Sequence, residues 1–551
     1  MLSDEQVMMK RLVTKVGKTW LILLVPVLIG MTALVFSTQQ GPGVGGDATI
    51  YITSARNLLL GKGLGLITAS GEFRLIPYFP PLFPLALSFL GLLGIELVSA
   101  AHWMNIALLG AFVWLAGWTV RRASHSNLLA LTAASLLALS PVLINVYSWA
   151  MSEPLAIFWG FCGLFFLWEY LQKLNGRYWF VLSALAGGLA VITRYSMVAF
   201  IGAGALGLLF LSGESLKTRL VRIGFYLAVA LMPLAVWVWI DLSHTSTLSS
   251  RSILSATEMV ERFIEFWPRF EEVLLFWLIP DSWIVAPRFY PAVLNHWLVP
   301  VAGLLLVVWI ASLSWKLRRT QAVSRLSKQI QLAVLLGFAA LAYLIVTLLV
   351  YVTTYPPITI GSRMYSPMQA VFLVLFVLLV GLTMSLWRNP VWVRWALTIV
   401  LLFCVVWYGW RTFRIVQQNY GQGMGFTSVY WQESETVQAV KQLPPEIKIV
   451  TNEEMALLFL TGRTSYPLAE IYFQKPLTVF YRYGDGDLTK DEAQRVFREE
   501  GAVLVLFDSI SDQMSLLYGK DAAERIAKLV EGLEMLFHGN DGAIYVYPKL
   551  R

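Results

Sequence analysis

Runs of about 20 consecutive apolar residues recur along this chain from Trp20 to Phe413, and each is long enough to cross the hydrocarbon core of a bilayer as a helix. They account for a composition that is 57% hydrophobic and only 14% charged, where an ordinary soluble domain carries about 25% charged residues. The spacing predicts eleven spans: 19–37, 98–120, 128–149, 152–171, 178–193, 196–211, 223–241, 297–315, 330–352, 366–386 and 394–412. The apolar stretch after the basic residues 1–18 lacks a small-residue cleavage site and reads as an uncleaved first helix. From Trp431 onward charge rises and apolar runs shrink to strand length, which predicts a water-soluble α/β domain.

The net charge of +8 carries its information in where Lys and Arg fall. With the N-terminus in the cytoplasm, the inner segments hold eighteen of them and the much longer outer loops nine. Basic residues near helix ends resist translocation, so this bias favours that orientation. An odd number of spans then places the C-terminal domain outside the cytoplasm. The segment Pro80–Gly94 is apolar but short and proline-led, and is expected to lie at the membrane surface or partly buried.

Ionisable groups at membrane depth are functional candidates, and the predicted topology gathers them on the outer side. Asp47 follows a glycine-rich approach in the first outer loop and admits two readings: the N-cap of a short helix from Ala48 to Leu60, or a chemical group. Glu153 precedes Pro154 where a helix begins, an ordinary helix start that also places a second carboxylate at the same boundary. Arg194 lies in "ITRYS" between two short helices, and Arg363 and Tyr365 lie just before the tenth span. Snorkelling to headgroups and binding of an anion both fit these arginines. A pair of guanidiniums facing two carboxylates suggests a phosphorylated, lipid-borne substrate.

Several chemistries find no motif here: a P-loop, His-Glu-x-x-His and Gly-x-Ser-x-Gly are all missing from the sequence. The five histidines have no ligand spacing, and the two cysteines, Cys162 and Cys404, lie within apolar runs, which argues against a disulfide framework or thiolate metal site. Nothing points to nucleic acid.

Taken in order, Gly46-Asp47 in a long first outer loop, "PYFPPLFPLAL" closing it, "SEP" opening the fourth span, "GLAVITRYS" and "SRMYSPM" resemble the GT-C glycosyltransferases. The resemblance is to bacterial relatives of protein O-mannosyltransferases and of lipid A aminoarabinose transferase. It implies an α-helical polytopic membrane protein of GT-C type, with a membrane module over 1–413 that includes outer loops 38–97 and 242–296. A small extracytoplasmic α/β domain would cover 414–551. It also implies an inverting enzyme of the bacterial plasma (inner) membrane that moves sugar from a polyprenyl-phosphate donor to a protein, lipid or glycan acceptor. By position Asp47 would be the general base, with Glu153 orienting the acceptor or supporting Asp47. Arg194, Arg363 and Tyr365 would attend the donor phosphate, and Arg74 would stand in for a lysine that aminoarabinose transferases carry where this chain has Pro80 and Pro81. No committed metal site is implied, although a divalent ion serves as cofactor in parts of the superfamily. A transporter or flippase of lipid-linked sugar, and a non-catalytic scaffold, are the rival readings. Transport would call for polar residues through the bilayer midplane, and the span centres are apolar. Glu453 and Glu454 read as a solvated first helical turn of the C-terminal domain.

Overall fold

The structure is a computed structural model that describes residues 4–76, 79–172, 176–244, 252–285, 294–319, 323–386, 391–468 and 490–548; Pro77 and Tyr78 of the first-loop motif lie outside them. The chain divides into two compact units. One comprises 1–37, 103–237 and 251–420, and the other 38–102, 238–250 and 421–551. The first outer loop thus belongs to the same unit as the C-terminal domain, although it lies more than 300 residues away in sequence.

Each of the eleven expected spans falls on a helix. Among the described residues, seven helices are long and apolar enough to cross a membrane: α4 (Leu97–Ser124), α7 (Glu153–Gln172), α10 (Leu216–His244), α13 (Asn295–Arg319), α14 (Val323–Thr353), α15 (Ser366–Leu386) and α16 (Val391–Gln422). The third span is a bent pair, α5 (Asn127–Ala138) and α6 (Pro141–Tyr147), meeting at 52°. The bend has a local cause. Pro141 has no N–H to continue the ladder of α5, and Ser140 caps α6 by accepting from Leu143 N. The Leu139 carbonyl released by the bend accepts from Thr412 of α16, so the break is satisfied within protein.

The remaining spans are the apolar part of α1 (Asp4–Ser37) and the short pair α8 (Arg177–Val191) and α9 (Val198–Leu211). Fifteen helical residues in α8 reach only about 22 Å, less than the ~30 Å hydrocarbon thickness. A single 3₁₀ turn, Tyr195–Met197, joins this pair. In the second large loop, α11 (Ala256–Leu278) begins with a capping box between Ser255 and Glu258, and α12 (Asp281–Val285) follows. The end of α11 is closed by α16: buried Arg411 donates to the Trp277 carbonyl at 3.0 Å and to that of Phe276, while Tyr408 and Trp407 donate to Trp277 and Leu278. These side chains satisfy carbonyls that a helix end cannot satisfy itself.

Glycine allows α8 and α10 a close backbone approach. A Cβ on Gly188 of α8 would stand 2.8 Å from the Ala230 carbonyl of α10 and 3.1 Å from Pro233.

In the second unit, α2 (Gly46–Leu59) is followed by a two-stranded ribbon, β1 (Gly65–Ile67) with β2 (Phe73–Leu75), and by α3 (Leu82–Leu92). At eleven residues, α3 reaches about 16 Å, half the hydrocarbon thickness. A further two-residue pair, β3 (Ser252–Ile253) with β4 (Thr354–Tyr355), belongs to the helical unit. The C-terminal domain is α/β as expected. After α17 (Val429–Gln432) and α18 (Glu435–Gln442), its sheet runs in the order β6-β5-β7-β9-β8. Strands β5 (Ile449–Thr451), β6 (Tyr466–Pro467) and β7 (Val503–Phe507) are parallel. Strands β8 (Glu534–His538) and β9 (Gly542–Val546) complete the sheet antiparallel. Helices α19 (Glu454–Thr461), α20 (Lys490–Glu499), α21 (Ile510–Tyr518) and α22 (Ala522–Val530) make the crossovers.

Because the atom facing Gly188 is backbone, Gly188→Val forces α8 away from α10. A loss of about 1–3 kcal/mol is expected, read as a lower thermal-unfolding midpoint of the detergent-solubilised protein.

Candidate active site

All six expected site residues can be placed on their elements, and three of them meet directly. Glu153 opens α7 with a fully buried side chain. Its Oε1 lies 2.9 Å from Arg194 Nη1 and 3.0 Å from Arg363 Nε, and Arg194 also donates to Ser152 Oγ at 3.3 Å. The two arginines differ in exposure: the Arg194 side chain is 15% exposed and that of Arg363 is 45% exposed. The three groups sum to one positive charge, held where α7, the α8–α9 junction and the segment before α15 converge. A buried carboxylate is tolerable only when paired, and each guanidinium offers a planar set of donors to it. Glu153 therefore orients the arginines.

Tyr343 of α14, which the sequence reading passed over, holds both arginine-bearing segments. Its buried hydroxyl lies 2.7 Å from the Met364 carbonyl, to which it donates, and 3.3 Å from Ser196 Oγ. Met364 and Ser196 each lie within two residues of one of the arginines. The only sequence signal was a polar hydroxyl within an apolar span. Tyr365 is placed differently from the expectation of a phosphate ligand. It is fully buried, packs its ring on Phe270 and Tyr343, and accepts from Thr347 Oγ1 at 3.0 Å. Its chain direction is set by Ser366 and Pro367 starting α15, which turns the ring inward to the core.

Asp47 belongs to the other unit. The N-cap of α2 is Gly45, so Asp47 is the second residue of the helix and not its cap. The capping reading is thereby replaced by a carboxylate in the first turn, where negative charge is stabilising. Its loop is clamped by the strand-like segment leading into the C-terminal domain: Phe426 N donates to the Val44 carbonyl at 2.7 Å, and Thr427 Oγ1 to that of Pro42. The first turn of α19 packs on that of α2, with Met455 3.8 Å from where a Cβ on Gly46 would stand. Arg74 lies on β2 with its guanidinium 3.5 Å from Glu72.

The expectation of a solvated Glu453–Glu454 turn is corrected. Glu454 is buried, and Glu453 Oε1 accepts from Ser509 Oγ at 2.6 Å and Gln513 Nε2 at 3.0 Å. Burial holds the Glu453 carboxyl above its ordinary range, opposed by those two hydrogen bonds. The parallel strands β5 and β7 bring these residues together at their C-terminal ends, a long-range consequence that local charge did not reveal. Among the described residues no group of three His, Cys, Asp or Glu side chains is placed to hold a metal ion.

Two measurements test this construction. Tyr343→Phe keeps the ring and removes its hydrogen bonds, with an expected cost of about 1 kcal/mol. Arg194→Gln breaks the more buried pair and is expected to cost roughly 3 kcal/mol, whereas Arg363→Gln, nearly half exposed, costs under about 1 kcal/mol; equal losses would contradict the asymmetry. For Glu453 the sign follows from a raised folded-state pKa. Ionisation penalises the folded domain at neutral pH, and the penalty fades as pH falls through the folded value toward the ordinary 4.5. Glu453→Gln is thus expected to raise the unfolding midpoint at pH 7.5 and to lose that advantage near pH 4.

No family model matches the sequence, and no curated protein matches it. Solved structures do. Apo ArnT from Cupriavidus metallidurans superposes with a TM-score of 0.53 at 13% identity, over 97% of this chain and 98% of ArnT. An oligosaccharyltransferase from Archaeoglobus fulgidus, tethered to an acceptor peptide containing the NVT sequon, gives 0.51 at 13% identity over 96% of this chain and 74% of its own. The same oligosaccharyltransferase in complex with Zn and sulfate gives 0.51 at 11% identity. Nearly complete coverage at such low identity speaks to architecture, and with its apolar helices it makes this chain a multi-pass membrane protein with the GT-C fold that those structures share.

Proposed function

We propose that this protein is an inverting glycosyltransferase that takes sugar from a polyprenyl-phosphate donor and delivers it to a protein, lipid or glycan acceptor on the extracytoplasmic face. The observation that carries the reading is the buried Glu153 bracketed by Arg194 and Arg363. Two fixed guanidiniums at a helix end suit a phosphate whose charge grows as the glycosidic bond breaks, and preorganised charge of this kind stabilises a departing anion. In a low-dielectric setting that attraction is stronger than at an exposed surface. The more exposed Arg363 is assigned to the phosphate, and Arg194 to holding Glu153 and the junction.

In the proposed reaction Asp47 takes the proton of the acceptor hydroxyl, the freed oxygen attacks the anomeric carbon, and polyprenyl phosphate departs with the bonding electron pair. Configuration inverts because attack and departure are on opposite sides. Arg74, on a short ribbon of the Asp47 loop, is assigned to the donor phosphate as a second cation. No step is routed through a metal. The proposed setting is the bacterial inner membrane with the N-terminus in the cytoplasm, supported by the two-to-one bias of basic residues. Transport remains the less supported reading, since the ionisable groups of this site sit at helix ends and not through span centres.

The deciding measurement follows release of free polyprenyl phosphate from a panel of polyprenyl-phosphate sugars, using wild type, Asp47→Asn and Arg363→Gln in vesicles. Asp47→Asn is expected to lose at least about a hundredfold in rate, as removal of a general base typically costs. Arg363→Gln is expected to weaken both donor binding and turnover. Equal release by wild type and a folded Asp47→Asn would remove Asp47 from the chemistry.

A further inference from the structure

Sixteen residues beyond Glu153, about 24 Å along α7, a second buried carboxylate anchors a different cluster. Glu169 is 1% exposed and is held in a two-point pair by Arg122 of α4, Nε to Oε1 at 2.9 Å and Nη2 to Oε2 at 3.0 Å. Arg121 and His125 stand beside Arg122 at the end of α4, and Lys328 approaches from α14. The charges of Lys328, Arg121 and Arg122 all bear on the His125 imidazole, so the four groups share one neighbourhood. Trp168 of α7 fixes the Lys328 backbone by donating to its carbonyl at 3.0 Å.

The charge here goes beyond what helix ends need. Three permanent cations and a histidine gather around one carboxylate, and the only ion pair that carboxylate makes among the described residues is with Arg122. The Arg121 Nε is buried and has no hydrogen-bond partner among the described residues. His125 is the sole non-glycine residue described with positive φ, at 57°. That left-handed conformation ends α4, with His125 N donating to the Arg121 carbonyl, and sets His125 within one turn of both arginines. Basic pockets between membrane helices, at the level of the headgroups, suit an anionic phosphodiester.

We propose that Arg121, His125 and Lys328, at the junction of α4, α7 and α14, form a binding site for the phosphodiester headgroup of an anionic glycerophospholipid, with the Arg122–Glu169 pair as its rigid floor. The site lies at the end of α7 opposite to Glu153 and is separate from the donor-phosphate site proposed above. Bound lipid bridges α4 and α14 and so fastens the helix that carries Tyr343 to its neighbour.

The test uses the full-length protein in detergent, titrated with phosphatidylglycerol or with phosphatidylcholine of the same acyl chains, and bound lipid counted by native mass spectrometry. Wild type is expected to retain one phosphatidylglycerol at concentrations where phosphatidylcholine is lost. Lys328→Gln, at an exposed position, weakens retention about fivefold, and Arg121→Gln with Lys328→Gln weakens it at least about tenfold. Arg394→Gln, a basic residue at the start of α16 outside the cluster, stays within about twofold. Equal retention of the two lipids overturns the proposal. So does an undiminished Lys328→Gln, or a loss in Arg394→Gln as large as in the double variant, which would reduce the effect to general positive charge. Displacement of the lipid by millimolar inorganic phosphate would also overturn it, by assigning the site to free phosphate.

Discussion

A carboxylate buried without exposure at the start of α7 has to be neutralised, and much of the helical unit is arranged around that necessity. Glu153 draws in Arg194 from a hairpin of two helices too short to keep it in headgroups, and Arg363 from the segment that starts α15. Breaking such a pair strands charge in a low-dielectric interior, which is far costlier than the pair is stabilising. The arrangement is consequently exacting, and Tyr343 adds a hydrogen-bonded strut between the same two segments.

The helix ends elsewhere obey the same accounting. Arg411, Tyr408 and Trp407 close the carbonyls of α11, Thr412 closes the break before Pro141, and Arg122 pairs with Glu169 at the far end of α7. Backbone and charge that lipid could not satisfy are satisfied by protein. In the second unit, the loop bearing Asp47 is held by backbone bonds from Phe426 and Thr427 and by the first turn of α19. The C-terminal domain thus has a structural reason to exist beside the loop that carries the proposed base.

The sequence reading was strongest where the physics is local. Apolar runs of sufficient length leave helix as the structure for crossing lipid, and all eleven predicted spans fall on helices. The strands in "IKIVT", "AVLVLFD" and "AIYVY" were legible as short apolar runs of strand length, whereas β6 and β8 were missed. Two residues in β6 carry no period, and β8 is largely exposed with no buried face to mark it. Helix boundaries slipped most in α16, which runs ten residues past its apolar segment because its last turns are polar and mostly exposed, so that hydropathy does not mark them.

Candidate residues were legible as chemical types at helix ends, and their partners were not. Sequence alone determined that Glu153, Arg194 and Arg363 would sit where apolar runs begin or end, and that Asp47 would open a short helix after glycines. Tertiary structure decided that one carboxylate serves both arginines, that Tyr365 turns inward while Tyr343 supplies the strut, and that Glu454 is buried while Glu453 is half-buried against Ser509 and Gln513. The reason is physical: length and hydropathy fix an element's position through interactions within the element. Ion pairing and burial depend on which distant segments the packing brings within about 3 Å, a distance at which hydrogen bonds form.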